Sequence, residues 1–321
     1  MDLTIAICMY NAEKYIIETL ECLMFQTVKN FHLVIVDDCS SDKSVELVED
    51  FFNKNPRQYD LVKFNENKGV VAARNFVLFR ATTKYMMFLD ADDKFYPTLV
   101  EKVYGKIVSD GDLLLVGYYM EYINLRGNKI RGGVFLGDET KEAFFKRAEK
   151  GKLMFFPATS IFLREVALKV GGYNETGFPN GKPRYCDLCE DLDLWTRMSD
   201  LYVEGMAMVV LPEILYQYRK GDGISKNSDG MVLRMRHIKN NVIRRRRGER
   251  DLNFIEFYDS LSKKDLKQLK YDAVAADSLR NAVFYLHHRN VFMFVWLVLK
   301  SMWYKPSYLL DKIRHNFGWK K

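Results

Sequence analysis

The feature that most constrains the fold is an alternation in the first 120 residues between short apolar runs and stretches with apolar residues at helical spacing. Residues 3–9, 31–36, 61–64, 85–89 and 113–116 read as buried strands. Between them, residues 12–25, 44–52, 70–80 and the stretch opened by Pro97 and running to about Val108 read as helices. Ser41 or Asp42 is the expected N-cap of the second. Strands separated by helices require right-handed crossovers, so the expected fold is α/β: a Rossmann-like, mostly parallel sheet flanked by helices. In such a sheet ligands bind beyond the carboxyl ends of the strands.

Past residue 120 the pattern loosens. Residues 120–137 read as hairpin or loop, 141–150 as helix, and 160–163 as a strand leading into a short helix that ends at Gly171-Gly172. Beyond Asn227 the chain is helical and basic. The expected division is 1–225 as a nucleotide-sugar-binding and catalytic domain and 226–321 as a helical C-terminal extension.

Composition narrows the classes. At 48% hydrophobic and 28% charged, the chain is globular rather than disordered or fibrous. Five cysteines without a framework point to reduced thiols and a cytoplasmic setting. No signal peptide is expected, and no uncharged apolar stretch is long enough to span a bilayer. The net charge of +7 belongs to residues 231–321, which alone carry +12.

Acidic residues gather where apolar runs end. Residues 33–36 lead into Asp37-Asp38-Cys39-Ser40-Ser41-Asp42, and 85–89 into Asp90-Ala91-Asp92-Asp93. Three carboxylates within four residues repel one another. A divalent cation removes that penalty, and oxygen ligands suit Mg²⁺ or Mn²⁺, which bridges one or two carboxylates to substrate phosphates. The plain alternative is a solvated acidic turn capping the next helix.

Several segments, in order over residues 3–225, resemble glycosyltransferase family 2, whose members are inverting enzymes of GT-A fold. They are Thr4 through Asn11, Gln26-Thr27, Val36 through Asp42, Asn67 through Asn75, Leu89 through Asp93, and Cys189 through Leu194. The resemblance implies transfer of a sugar from a nucleoside-diphosphate donor, usually uridine, to a hydroxyl of a glycan or lipid-linked acceptor, as in cell-surface polysaccharide synthesis. It implies that Tyr10 and Asn11 line the nucleoside pocket and that Asp38 accepts a hydrogen bond from the base. Arg74 is then near the diphosphate or nucleoside, Asp90 near ribose or donor sugar, and Asp92, with Asp90, on the metal. Asp191 is the general base, with Glu190 as runner-up. By themselves, Asp38 could serve as a helix cap and Arg74 as a partner for a carboxylate.

The family often carries a His shortly after a Tyr-Arg pair. Here Tyr218-Arg219-Lys220-Gly221-Asp222-Gly223-Ile224-Ser225 has none. Arg219 and Lys220 are expected on phosphate, or Asp222 on the metal, and the choice stays open. Cys186-Asp187-Leu188-Cys189 lacks two further zinc ligands and reads as packing. Two other readings stand beside the main one: a nucleotidyltransferase, which lacks its Gly-rich loop after the first strand, and a nucleotide-sugar-binding scaffold without catalysis.

In the C-terminal third, Arg244 through Arg247, Phe284-Tyr285, residues 291–299, Trp296, Trp303 and Trp319 mix cations with aromatic bulk. This suits an anionic membrane surface, peripheral on the inner face of the plasma membrane, or a subdomain packed by its apolar face. Nucleic acid ranks low, because the aromatics lie in apolar runs.

Overall fold

The computed structural model describes residues 1–221, 227–287 and 290–307. Asp222, Ser225 and Trp319, singled out above, lie outside the described residues, as does the side chain of Phe284.

Nine strands form one sheet among the described residues. They are β1 (Leu3–Met9), β2 (His32–Asp37), β3 (Asp60–Lys63), β4 (Tyr85–Asp90), β5 (Lys94–Phe95), β6 (Leu113–Ile123), β7 (Lys129–Val134), β8 (Ile161–Leu163) and β9 (Ala207–Arg219). The spatial order is β3-β2-β1-β4-β8-β6-β9-β5, with β7 on β6. The half made of β3, β2, β1 and β4 is parallel. Its crossovers are α1 (Ile16–Met24), α2 (Ser44–Lys54) and α3 (Val70–Arg80). Buried on both faces, β1, β2 and β4 are nearly continuous apolar runs. Beyond β4 the sheet turns mixed, because β8 inserts antiparallel between β4 and β6.

Two strands escaped the sequence reading. β5 has only two residues. β9 contains Pro212, which argues against a strand. The structure resolves the conflict with a bulge: Tyr118 faces Leu211 and Tyr119 faces Ile214, so Pro212 and Glu213 loop out, exposed. Around this bulge β9 pairs parallel to β6 along most of its length.

The remaining helices are α4 (Leu99–Val108), α5 (Lys141–Glu149), α6 (Arg164–Lys169), α7 (Glu190–Met198), α8 (Ser228–Arg246), α9 (Phe254–Asp259), α10 (Lys263–His287) and α11 (Val291–Tyr304). None is long and apolar enough to cross a membrane, among the described residues.

Two compact units can be distinguished. The first comprises Met1–Thr176, Cys189–Gly221 and Val242–Glu249 and holds the whole sheet. The second comprises the described residues of Gly177–Leu188, Asp222–Asn241 and Arg250–Lys321. In the first unit, Phe162 packs between Phe88 and Trp195, at 6.3 and 5.1 Å between ring centroids, and Tyr173 meets Phe88 at 6.1 Å. Each such ring stabilises the fold by roughly 2–3 kcal/mol through burial. Also in this unit, Arg245 and Arg246 both pair with Asp200, at 2.5 and 3.0 Å, and Arg244 pairs with Glu249 at 2.9 Å. Three of the four consecutive arginines are therefore committed to protein carboxylates.

The second unit has its own small core of Leu233, Phe254, Phe257 and Leu269. A capping box opens α9: Asn253 accepts the Glu256 N–H at 2.9 Å, and Glu256 accepts that of Asn253.

Candidate active site

Two loops at the carboxyl ends of β1 and β2 are laced together by side-chain caps. Asn11, at a φ of 50°, accepts the Ser41 N–H at 2.9 Å through Oδ1, while its own N–H donates to Ser40 Oγ. Asp42 accepts the N–H groups of Glu13 and Ser44, both at 3.0 Å. α2 starts at Ser44 as expected; Lys43 rather than Ser41 or Asp42 sits at the cap, but the Asp42 carboxylate accepts the Ser44 N–H of the first turn. These bonds fix Asn11 while leaving the Tyr10 ring 52% exposed.

Asp38 is 4% exposed and accepts two backbone N–H groups, from Lys68 at 2.7 Å and Gly69 at 2.8 Å. Gly69 takes a φ of 95°, which a side chain would resist, and this lets both N–H groups converge just before α3. A carboxylate has further lone pairs, so Asp38 can still accept another donor. The Asn-Lys-Gly segment is thus explained by backbone geometry.

Arg74, on α3, is buried over the rings of Phe88 and Tyr173, its guanidinium carbon 5.3 and 5.9 Å from their centroids. It donates to Asp90 Oδ1 at 3.1 Å and to Glu190 Oε1 at 2.6 Å. The acidic end of β4 and the first turn of α7 are therefore joined through one cation. Neighbouring Asn75 fixes the same region, exchanging bonds with the Tyr173 main chain at 2.8 and 2.9 Å. Gln26 is structural too: it accepts the Val100 N–H at 3.1 Å and ties α1 to the start of α4.

The three carboxylates after β4 have different fates. Asp93 is fully buried and accepts from the Arg219 N–H at 2.6 Å and the Tyr216 hydroxyl at 2.8 Å. Burial, with Asp90 and Asp92 nearby, pushes its carboxyl well above the usual range. Asp90 is held by Arg74. Asp92 forms no ion pair among the described residues, and burial, reinforced by Asp90, pushes it up to about 6.

The carboxylates of this turn that remain outside the Asp93 network are Asp90 and Asp92. Among the described residues no group of three or more His, Cys, Asp or Glu is arranged as a complete metal cage. Two neighbouring carboxylates, one of them raised by burial and by the other's charge, are oxygen donors of the kind that suits Mg²⁺ or Mn²⁺ sharing its shell with phosphate oxygens.

Arg219, expected on the donor, is 2% exposed and spends its guanidinium inside the fold. Nε donates to the Asp92 carbonyl at 2.6 Å, and the terminal nitrogens reach the carbonyls of Asn124 and Leu125 at 3.2 Å and Glu18 at 3.0 Å. It clamps the acidic turn against β9. Sequence reasoning missed its partner Glu18, which also pairs with Lys94 at 3.2 Å. Hydrogen bonds from Arg219 and Lys94 outweigh burial and hold Glu18 below the ordinary range.

Glu190 and Asp191 open α7, whose cap, Cys189, sits at a φ of 55°. The structure separates their surroundings. Glu190 is consumed by Arg74, whereas Asp191 forms no ion pair among the described residues. Burial raises Asp191, opposed by Arg74 and the Leu192 N–H. Cys186 and Cys189 form no disulfide.

A family model described as glycosyl transferase family 2 matches residues 4–171, just over half of the chain. Glycosyltransferase GlyG of Streptococcus pneumoniae serotype 4 is 27% identical over 225 residues, 69% of this chain and 71% of that one. Among solved structures, S. aureus TarS 1-349 in complex with UDP-GlcNAc superposes with a TM-score of 0.55 at 18% identity, over 93% of this chain and 90% of that one. The mannosyltransferase PcManGT from Pyrobaculum calidifontis, in complex with GDP-Man and Mn²⁺, gives 0.54 at 17% identity, over 95% and 88%. The structural likenesses show the fold, which is of the GT-A type expected from the sequence. Given the match over residues 4–171, the chain belongs to glycosyl transferase family 2.

Proposed function

We propose that the chain transfers a sugar from a nucleoside-diphosphate donor, with uridine as the base, to a hydroxyl of a glycan or lipid-linked acceptor, inverting the anomeric centre. The observation that carries this reading is the Arg74 bridge, which draws Asp90 and the opening of α7 together and leaves Asp92 and Asp191 without ion-pair partners among the described residues. One carboxylate is then free for a cation and the other for a proton. We assign this chemistry to residues 1–225 and regard 226–321 as an appended helical region.

Asp92 and Asp90 are the residues that would hold Mn²⁺ or Mg²⁺. Such a cation would supply positive charge to offset that of the departing diphosphate. The exposed Tyr10 ring offers a face to the base, Asn11 fixes the neighbouring backbone, and Asp38 retains acceptor capacity for a base N–H. Asp191 takes the proton of the acceptor hydroxyl as that oxygen bonds to C1 of the sugar and the bond from C1 to the diphosphate oxygen breaks. Burial raises both carboxyls of this segment, Glu190 to about 8, so the choice of Asp191 rests on its lacking the Arg74 ion pair and not on its pKa. Glu190, neutralised by Arg74, is left as a positioning residue, and Arg219 has the same role toward the acidic turn. A single displacement by this route converts an α-linked donor into a β-linked product.

UDP-GlcNAc in TarS and GDP-Man with Mn²⁺ in PcManGT support a nucleotide-sugar donor, and the second supports the cation. The test is incubation with a panel of uridine and guanosine sugars and Mn²⁺, followed by NMR of the new linkage. A β-linkage from an α-linked uridine donor is expected. Retained configuration would refute the single displacement, and turnover of guanosine sugars alone would refute the base assignment.

A further inference from the structure

α11 is apolar almost throughout, with Lys300 as its single charge. Its two sides have opposite surroundings. Leu297 and Ser301 are buried, and the Ser301 hydroxyl donates to the Ala275 carbonyl of α10 at 2.9 Å. At about 100° per residue, Phe292, Val295, Trp296, Leu299 and Trp303 project from the other side. These five are exposed, Phe292 by 78% and Trp303 by 86%. A contiguous apolar stripe with two tryptophans is far from an ordinary surface, where apolar residues are scattered singly.

Its neighbours indicate what covers it. Tyr304 meets Tyr271 at 5.4 Å and Lys305 pairs with Asp272 at 2.9 Å, so α10 runs antiparallel to α11. The first turns of α10, with exposed Lys263, Lys264, Lys267 and Lys270, therefore continue past the Trp303 end of the stripe. α11 contributes no acidic residue, and Asp265 is the acidic residue in the first turn of α10. The Lys300 ammonium lies 5.3 Å from the Trp296 ring centroid. Tryptophan and lysine flanking an apolar face form the arrangement that settles at the boundary between headgroups and acyl chains, with the cations on lipid phosphates.

We propose that the Phe292–Val295–Trp296–Leu299–Trp303 stripe of α11 is a membrane-interface anchor that lies in the headgroup layer of an anionic bilayer without crossing it. The anchor uses the apolar face for depth and the α10 lysines for charge selectivity. The arginine run at 244–247 contributes little, since three of its four members pair with Asp200 and Glu249. The proposal is independent of the chemistry assigned to the acidic turn, because it needs neither donor nor cation.

The experiment is sedimentation of the full chain with vesicles of phosphatidylcholine alone or with phosphatidylglycerol. Wild type is compared with Phe292→Gln, Trp303→Gln and the double variant, and melting curves check folding. Because the substituted side chains are exposed, melting should be unchanged. Binding is expected only with phosphatidylglycerol, and each substitution should weaken it at least about tenfold. Undiminished binding by the double variant would overturn the proposal. So would no vesicle binding by wild type, including the case in which light scattering shows a dimer that the double variant loses; the stripe would then be a contact between copies.

Discussion

Arg74 stands 2.6 Å from Glu190 across 116 positions of sequence, and its other arm reaches Asp90 at 3.1 Å. This single guanidinium brings the Asp-x-Asp turn and the Glu-Asp segment into one site. Removing one member of a buried ion pair strands the other, at a cost of about 3–5 kcal/mol. Arg74→Ala should therefore destabilise the fold by that order in urea unfolding. Adding Glu190→Gln should restore part of the loss. A cycle with no coupling between the two changes would show that the bridge does not form in solution.

Asp92 provides a pH signature. With its carboxyl raised to about 6 from 3.8, the folded state holds its proton more tightly than the unfolded state. Stability contributed by this residue therefore falls as pH rises from about 4 to about 6, and the deficit persists above that window. Asp92→Asn should be more stable than wild type at pH 7 without metal, by on the order of 2 kcal/mol, with the difference shrinking toward pH 4. Thermal melts across that range measure it. A difference independent of pH would show that Asp92 is not strained.

For Asp191 the expected outcome is a separation of binding from turnover. Asp191→Asn should keep donor affinity within a few-fold while transfer falls by roughly two to four orders of magnitude, as for loss of a general base. In wild type the base must be unprotonated, and its pKa is raised, so kcat/KM should drop on the acid side at a pH above the ordinary 3.8. If the acid limb survived in the Asp191→Asn protein, the proton acceptor would be another group.

Tyr216 tests the scaffold rather than the chemistry. Its hydroxyl donates to Asp93 at 2.8 Å in a fully buried setting. Tyr216→Phe leaves Asp93 short of one donor and should cost about 1–3 kcal/mol. Metal and donor affinity should hold at temperatures where the variant remains folded. A large loss of affinity without a loss of stability would place Asp93 among the metal ligands.

The parallel half of the sheet was legible because β1, β2 and β4 are long, apolar and separated by well-patterned helices. The acidic turn was legible because it directly follows such a strand. β9 was not, since Pro212 breaks the local signal and only pairing with β6 around a bulge reveals the strand. The role of Arg219 was hidden for a related reason. Its partners Glu18, Asn124 and Leu125 are far away in sequence, and the cation that looked available for phosphate is enclosed by carbonyls. The proposed choice of Asp191 over Glu190 likewise rests on three dimensions, because it turns on which carboxylate Arg74 reaches.

The central claim is that Asp90 and Asp92 hold a divalent cation that in turn holds the donor diphosphate. Calorimetric titration of UDP into wild type and Asp92→Asn, each with and without Mn²⁺, tests it most directly. The account predicts that Mn²⁺ tightens binding at least about tenfold in wild type and has no effect in the variant. Equal affinity with and without Mn²⁺ in wild type, or an undiminished Mn²⁺ effect in Asp92→Asn, would contradict it.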